Sequence, residues 1–91
     1  MILENSAVLS DTVLLQVVDD ETILLDTQTE EYFSLNEVGS VFYQLLKEES
    51  KISNILEILV EHFQVPEEEL KKDLFTFIEA LAEKGLLKIT T

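Results

Sequence analysis

Cysteine is absent from the 91 residues, tryptophan is absent too, proline occurs once (Pro66), glycine twice (Gly39 and Gly85) and histidine once (His62). Without cysteine there is no disulfide framework, no thiolate metal site and no cysteine nucleophile. His62 lies in the last turn of an expected helix, where a cation suits the negative end of the dipole, and it has no second imidazole to complete a metal site. Basic residues are scarce as well: 6 Lys and Arg stand against 19 Asp and Glu, a formal net charge of -13. Such a surface repels a phosphate backbone and excludes nucleic acid as a favoured partner. It favours basic or neutral peptides, with association that slows as salt is added. No basic segment followed by an apolar core opens the chain, and no run approaches the roughly 18 apolar residues of a membrane span. Neither secretion nor a membrane location is expected, which leaves the cytoplasm.

What is present is an apolar fraction of 46%, enough for one folded domain over residues 1–91 with its core at about 8–89. Residues 1–6 read as a ragged lead-in, and Ala7 to Ser10 as a short edge pairing. The runs V-L-L-Q-V-V (13–18) and T-I-L-L-D (22–26), separated by Asp19-Asp20-Glu21, predict a β-hairpin. The turn lacks an Asn-Gly or Asp-Gly pair, which leaves its type open. A polar cluster at 27–30 then leads to a third strand, Glu31 to Leu35, completing a three-stranded antiparallel meander. On it Phe33 and Leu35 share one face, and Tyr32 and Ser34 the other. A three-stranded meander leaves its last strand with amides and carbonyls open to an added strand.

Asn36 directly follows that strand and is a good N-cap, so strand and helix join tightly. Val38, Phe42, Leu45 and Leu46 give the first helix its apolar spacing. Gly39, in its first turn, allows a close approach of helix and strand. The second helix is expected from Ser53, as N-cap, to Phe63, with Ile52 packing back over its start. Pro66 suits the first position of a third helix, whose opening turn holds Glu67, Glu68 and Glu69 and whose end is marked by Gly85. Leu70, Leu74, Phe77, Ile78 and Leu81 give that helix one apolar side, and Phe75 and Ala82 widen it, so it needs more than one neighbour. Residues 86–89 form a short extended tail, able to pack on the sheet or start a wing. The carboxylate pairs Asp19/Asp20 and Glu30/Glu31 lie in predicted turns, where nothing apolar would raise a pKa for acid catalysis. No catalytic residue, cofactor site or metal site is expected, and the chain reads as a binding protein rather than an enzyme.

The segments Tyr32-Phe33-x-Leu35-Asn36-x-x-Gly39 and Asp73-x-x-x-Phe77-x-x-x-Leu81, with Gly85-Leu86 after them, resemble the PqqD-like family over about Val13 to Leu87. These are the small peptide-binding chaperones of pyrroloquinoline quinone biosynthesis, relatives of the recognition elements of ribosomally made, modified peptides, lasso peptides among them. The resemblance implies an α+β, winged-helix-like domain, a three-stranded sheet followed by three helices. It also implies that a precursor's leader segment adds to the third strand and presents its side chains to a groove facing the third helix. Carried over, Tyr32, Phe33, Ser34 and Leu35 form the receiving strand and Leu70, Asp73, Leu74 and Phe77 the facing wall. The implied partner is a modifying enzyme, a radical-SAM maturase or a leader peptidase. The alternative is a winged-helix regulatory or dimerisation module, pairing with a second copy through the free edge. One departure stands out: residues 27–30 hold no glycine, where many relatives carry one.

Overall fold

The computed structural model describes residues 2–90, in the order β1 (Ser6–Leu9), β2 (Val13–Val18), β3 (Glu21–Asp26), β4 (Tyr32–Leu35), α1 (Glu37–Glu48), α2 (Ile52–His62), α3 (Glu67–Glu83) and β5 (Leu87–Thr90). The expected three-stranded sheet is there, antiparallel in the order β2-β3-β4 and followed by three helices. Its first turn is a two-residue loop, Val18 opposite Glu21, with Asp19 and Asp20 both at positive φ (49° and 68°). Both signs match a type I′ turn, whose twist suits a hairpin. Aspartate tolerates this region at a cost that glycine avoids. Asp20→Gly is therefore expected to stabilise the protein by up to about 1 kcal/mol, seen as a thermal midpoint higher by about 4–8 °C.

The tail does not join this sheet. β5 pairs antiparallel with β1, from Ser6 opposite Thr90 to Leu9 opposite Leu87, in a separate two-stranded sheet. Ala7, Leu86 and Leu87 are buried there.

Of the lead-in, residue 1 lies outside the described residues, and residues 2–6 are not ragged. Asn5 is buried, its side chain accepts the Ile2 amide at 2.8 Å, and the carbonyls of Asn5 and Leu3 accept the amides of Ile52 (3.0 Å) and Ser53 (2.9 Å). These are first-turn donors of α2, which its own chain cannot satisfy. The N-terminal backbone thus caps α2, and Ser53, expected as the N-cap, sits inside the helix. Ile52 is the first helical residue and is fully buried.

Pro66 stands one position earlier than expected, at the N-cap of α3, its carbonyl accepting from Glu69 and Leu70 at 3.1 Å. At the other end Gly85 takes φ 76°, Leu86 donates to the Leu81 carbonyl (2.9 Å) and Gly85 to that of Ala82 (3.0 Å). That is a Schellman motif, and it turns the chain into β5. Fully buried Ile55, Leu59, Leu74, Ile78 and Leu81 join the helices, and Leu24 is the fully buried residue of the three-stranded sheet.

Candidate functional site

Register decides what β4 offers. The loop 27–31 places Glu31 opposite Asp26, and the Asp26 amide donates to the Glu31 carbonyl at 2.9 Å. Two residues on, Leu24 faces Phe33, and then Thr22 faces Leu35. Hydrogen-bonded pairs alternate with non-bonded ones in an antiparallel ladder. Phe33 and Leu35 therefore spend their backbone groups on β3, while Tyr32 and Ser34 turn their amides and carbonyls away from it. Among the described residues no strand pairs with that outer edge.

The loop that sets this register is held by Asp26, 4% exposed. Its Oδ1 accepts from the Gln28 amide at 2.9 Å, the Thr12 hydroxyl at 2.8 Å and the Thr29 amide at 3.5 Å. Glu30 takes φ 66° in place of the glycine that resemblance leads one to expect in this turn. The Gln28 amide first, then the Thr12 hydroxyl, holds the Asp26 carboxyl below its ordinary pKa against the opposing effect of burial. A carboxylate with a depressed folded pKa contributes stability that is complete above its unfolded pKa and lost as pH falls through the folded value. Asp26→Asn is accordingly expected to be less stable than the parent at pH 7. The gap should close on acidification below the ordinary carboxylate range, as measured by urea unfolding at each pH.

Beyond β4 the chain enters α1 with one intervening residue. The Asn36 side chain accepts the Gly39 amide at 2.7 Å, the cap expected from the sequence. A Cβ on Gly39 would stand 3.3 Å from Asn36 Oδ1, 3.3 Å from Phe77 Cε1 and 3.4 Å from a Leu35 methyl. The bare glycine is what lets β4, α1 and α3 meet at one point. There the Phe77 ring packs edge-on against Phe33 (centroids 5.8 Å apart) and Phe42 (5.3 Å).

In front of these rings lies an open groove of about 670 Å³ between β4, the start of α1 and α3. Its lining is mainly apolar, with Ser34, Asn36 and Thr76 as neutral polar residues and Asp73 as the one charged residue. Of the eight residues expected at the site, Phe33, Ser34, Leu35, Asp73 and Phe77 come together here. Tyr32 does not line it: it is 58% exposed, with the Lys84 ammonium 5.9 Å from its ring centroid. Leu70 and Leu74 do not line it either, being buried in the core on a neighbouring side of α3. Asn36, Val38, Gly39, Phe42, Thr76 and Ala80 complete the lining and were not singled out as site residues from sequence. Thr76 and Ala80 follow Asp73 at three and seven positions, one face of a helix. Their small size was the available signal, since a wall beside a groove is built from residues that leave room.

Among the described residues no His, Asp and Glu side chains group so as to hold a metal ion, and no helix is long and apolar enough to cross a membrane. The arrangement supplies backbone hydrogen bonds, an apolar trough and one carboxylate.

Comparison with the curated proteins gives no match. Two solved structures are similar. TbiB1 in complex with the TbiA(beta) leader peptide is 37% identical, with a TM-score of 0.77 over 89% of this chain and 94% of that one. A lasso peptide synthetase B1 complexed with the leader peptide is 21% identical, with a TM-score of 0.75 over 90% and 96%, a likeness of fold. The family profile described as coenzyme PQQ synthesis protein D (PqqD) matches residues 21–87. With that match over most of its length, the chain belongs to the PqqD family.

Proposed function

We propose that the chain is a non-catalytic adaptor that takes the leader segment of a ribosomally made precursor peptide as an added strand on β4. It presents that peptide to a modifying enzyme in the cytoplasm, a radical-SAM maturase or a leader peptidase. The observation that carries this reading is the outward pair of backbone positions, Tyr32 and Ser34, beside an apolar groove. In strand addition, main-chain bonds supply affinity with little regard to sequence, and pockets for alternate side chains supply selection. Phe33, Leu35 and Phe77 form the apolar pocket, Asp73 meets a polar or basic group, and Tyr32 contributes its backbone. Leu70 and Leu74 back the wall without touching the peptide. The leader peptide bound to the 37% identical TbiB1 supports the same class of ligand here.

A leader that is ordered on binding loses conformational entropy, so the dissociation constant is expected to be about micromolar or somewhat tighter. The test is a fluorescence-polarisation titration with the labelled leader of a precursor encoded beside this chain, against a scrambled leader. Saturable binding of the first alone is the expected result. Equal binding of both, or of neither, would count against the reading, and a stable dimer that buries β4 would replace it with a second copy as occupant.

A further inference from the structure

Two residues of opposite charge stand along one face of α3, Asp73 in the lining of the groove and Lys84 one turn beyond the last lining residue, Ala80. Asp73 lines the groove, and Thr76, Phe77 and Ala80 follow it along α3. One turn beyond Ala80, Lys84 reaches across to the start of β4, its ammonium 3.8 Å from Glu31 and 5.9 Å from the Tyr32 ring centroid. The ion pair is long, and its two side chains are 43% and 52% exposed, so it is a weak contact that an incoming carboxylate can share or displace. Asp73 forms no salt bridge among the described residues. The field of a protein with net charge -13 adds to its pull on a cation.

From these positions, and resting on the peptide-binding reading above, we infer that Asp73 and Lys84 read the charge order of the bound peptide and so fix its direction. Asp73 and Lys84 are eleven residues apart on the helix, about 16 Å at 1.5 Å per residue. An extended peptide covers that distance in about five residues. The sheet is antiparallel throughout, and an added strand that continues the pattern gains the slightly stronger ladder. Its N-terminal part then passes Leu35 and Asp73, and its C-terminal part passes Tyr32 and Lys84. The preferred ligand is a peptide with a basic side chain about five positions before an acidic one, and apolar side chains between them for the Phe33, Phe42 and Phe77 pocket.

The experiment is selection of a displayed library of twelve random residues on the immobilised full chain, counting only peptides that a Ser34→Pro variant fails to retain. The same selection is run on Asp73→Lys/Lys84→Glu, a swap of two exposed residues that leaves net charge unchanged. Its thermal midpoint is checked against the parent. Basic-before-acidic order is expected to outnumber the reverse at least fivefold on the parent, and to invert on the double variant. Enriched peptides with no charge order, or with the same order on both proteins, would overturn the inference while leaving peptide recognition intact. Acidic-before-basic order on the parent would overturn the antiparallel direction. If nothing is retained in a Ser34-dependent way, the inference fails together with the reading beneath it.

Discussion

Ser34→Pro is expected to weaken leader binding tenfold or more while the protein keeps its fold. The Ser34 amide points away from β3, so proline there removes no bond of the ladder, and an outward-facing position on an edge strand is where a sheet tolerates proline. The peptide loses one hydrogen bond, about 1 kcal/mol, and meets a pyrrolidine ring where its own carbonyl would stand. Two companions isolate the cause. Ser34→Ala removes the hydroxyl that donates to Glu21 at 2.6 Å but keeps the amide, and it should bind almost as the parent does. Phe33→Pro removes an amide used by the Leu24 pairing, so it should destabilise the domain itself. Undiminished affinity in a folded Ser34→Pro protein would mean that the leader does not add to β4.

Phe77→Ala is expected to damage both stability and recognition. Phe77 is 9% exposed, touches Phe33 and Phe42 edge-on and forms part of the groove. Deleting a buried ring of this kind costs about 3–5 kcal/mol, a large share of the roughly 5–15 kcal/mol that hold a domain together. Equilibrium unfolding should show a loss of about 3 kcal/mol or more, and a thermal midpoint lower by at least about 12 °C. Phe77→Leu keeps most of the volume and loses the two edge-on ring contacts. It should cost less in stability, and titrated well below its midpoint it should still bind the leader more weakly than the parent. A Phe77→Ala protein with parental stability would take Phe77 out of the core. Parental affinity in Phe77→Leu would take it out of the groove.

The placement of Phe77 shows how far local pattern can go. The 3.6-residue period made Leu70, Leu74, Phe77, Ile78 and Leu81 one buried side of α3, and those five are buried. The pattern could not tell the side packed on the core from the side left facing the groove, because that depends on how the helix is rotated against α1 and β4. Leu70 and Leu74 fell on the first side and Thr76 and Ala80 on the second, with Phe77 at the border. Local chemistry was legible wherever cause and effect lie within a few residues. Asn36 caps the helix whose Gly39 amide it accepts, three positions away, and the period-two pattern of β4 put Phe33 and Leu35 on one face.

Contacts between distant residues carry no such local mark. Thr12 reaches Asp26 across 14 positions to hold the loop before β4. Asn5 and Leu3 cap a helix that begins at Ile52, and β1 finds β5 at the far end of the chain. A backbone carbonyl has the same chemistry in every residue, so a sequence cannot announce which one will cap a helix. Composition, periodicity and capping residues determined the class of fold, the open-edged meander and the improbability of a nucleic-acid ligand. Tertiary packing decided which backbone groups of β4 face outward, which side of α3 forms the groove wall, and that Lys84 reaches Glu31 at the start of β4, because each depends on how separate elements dock.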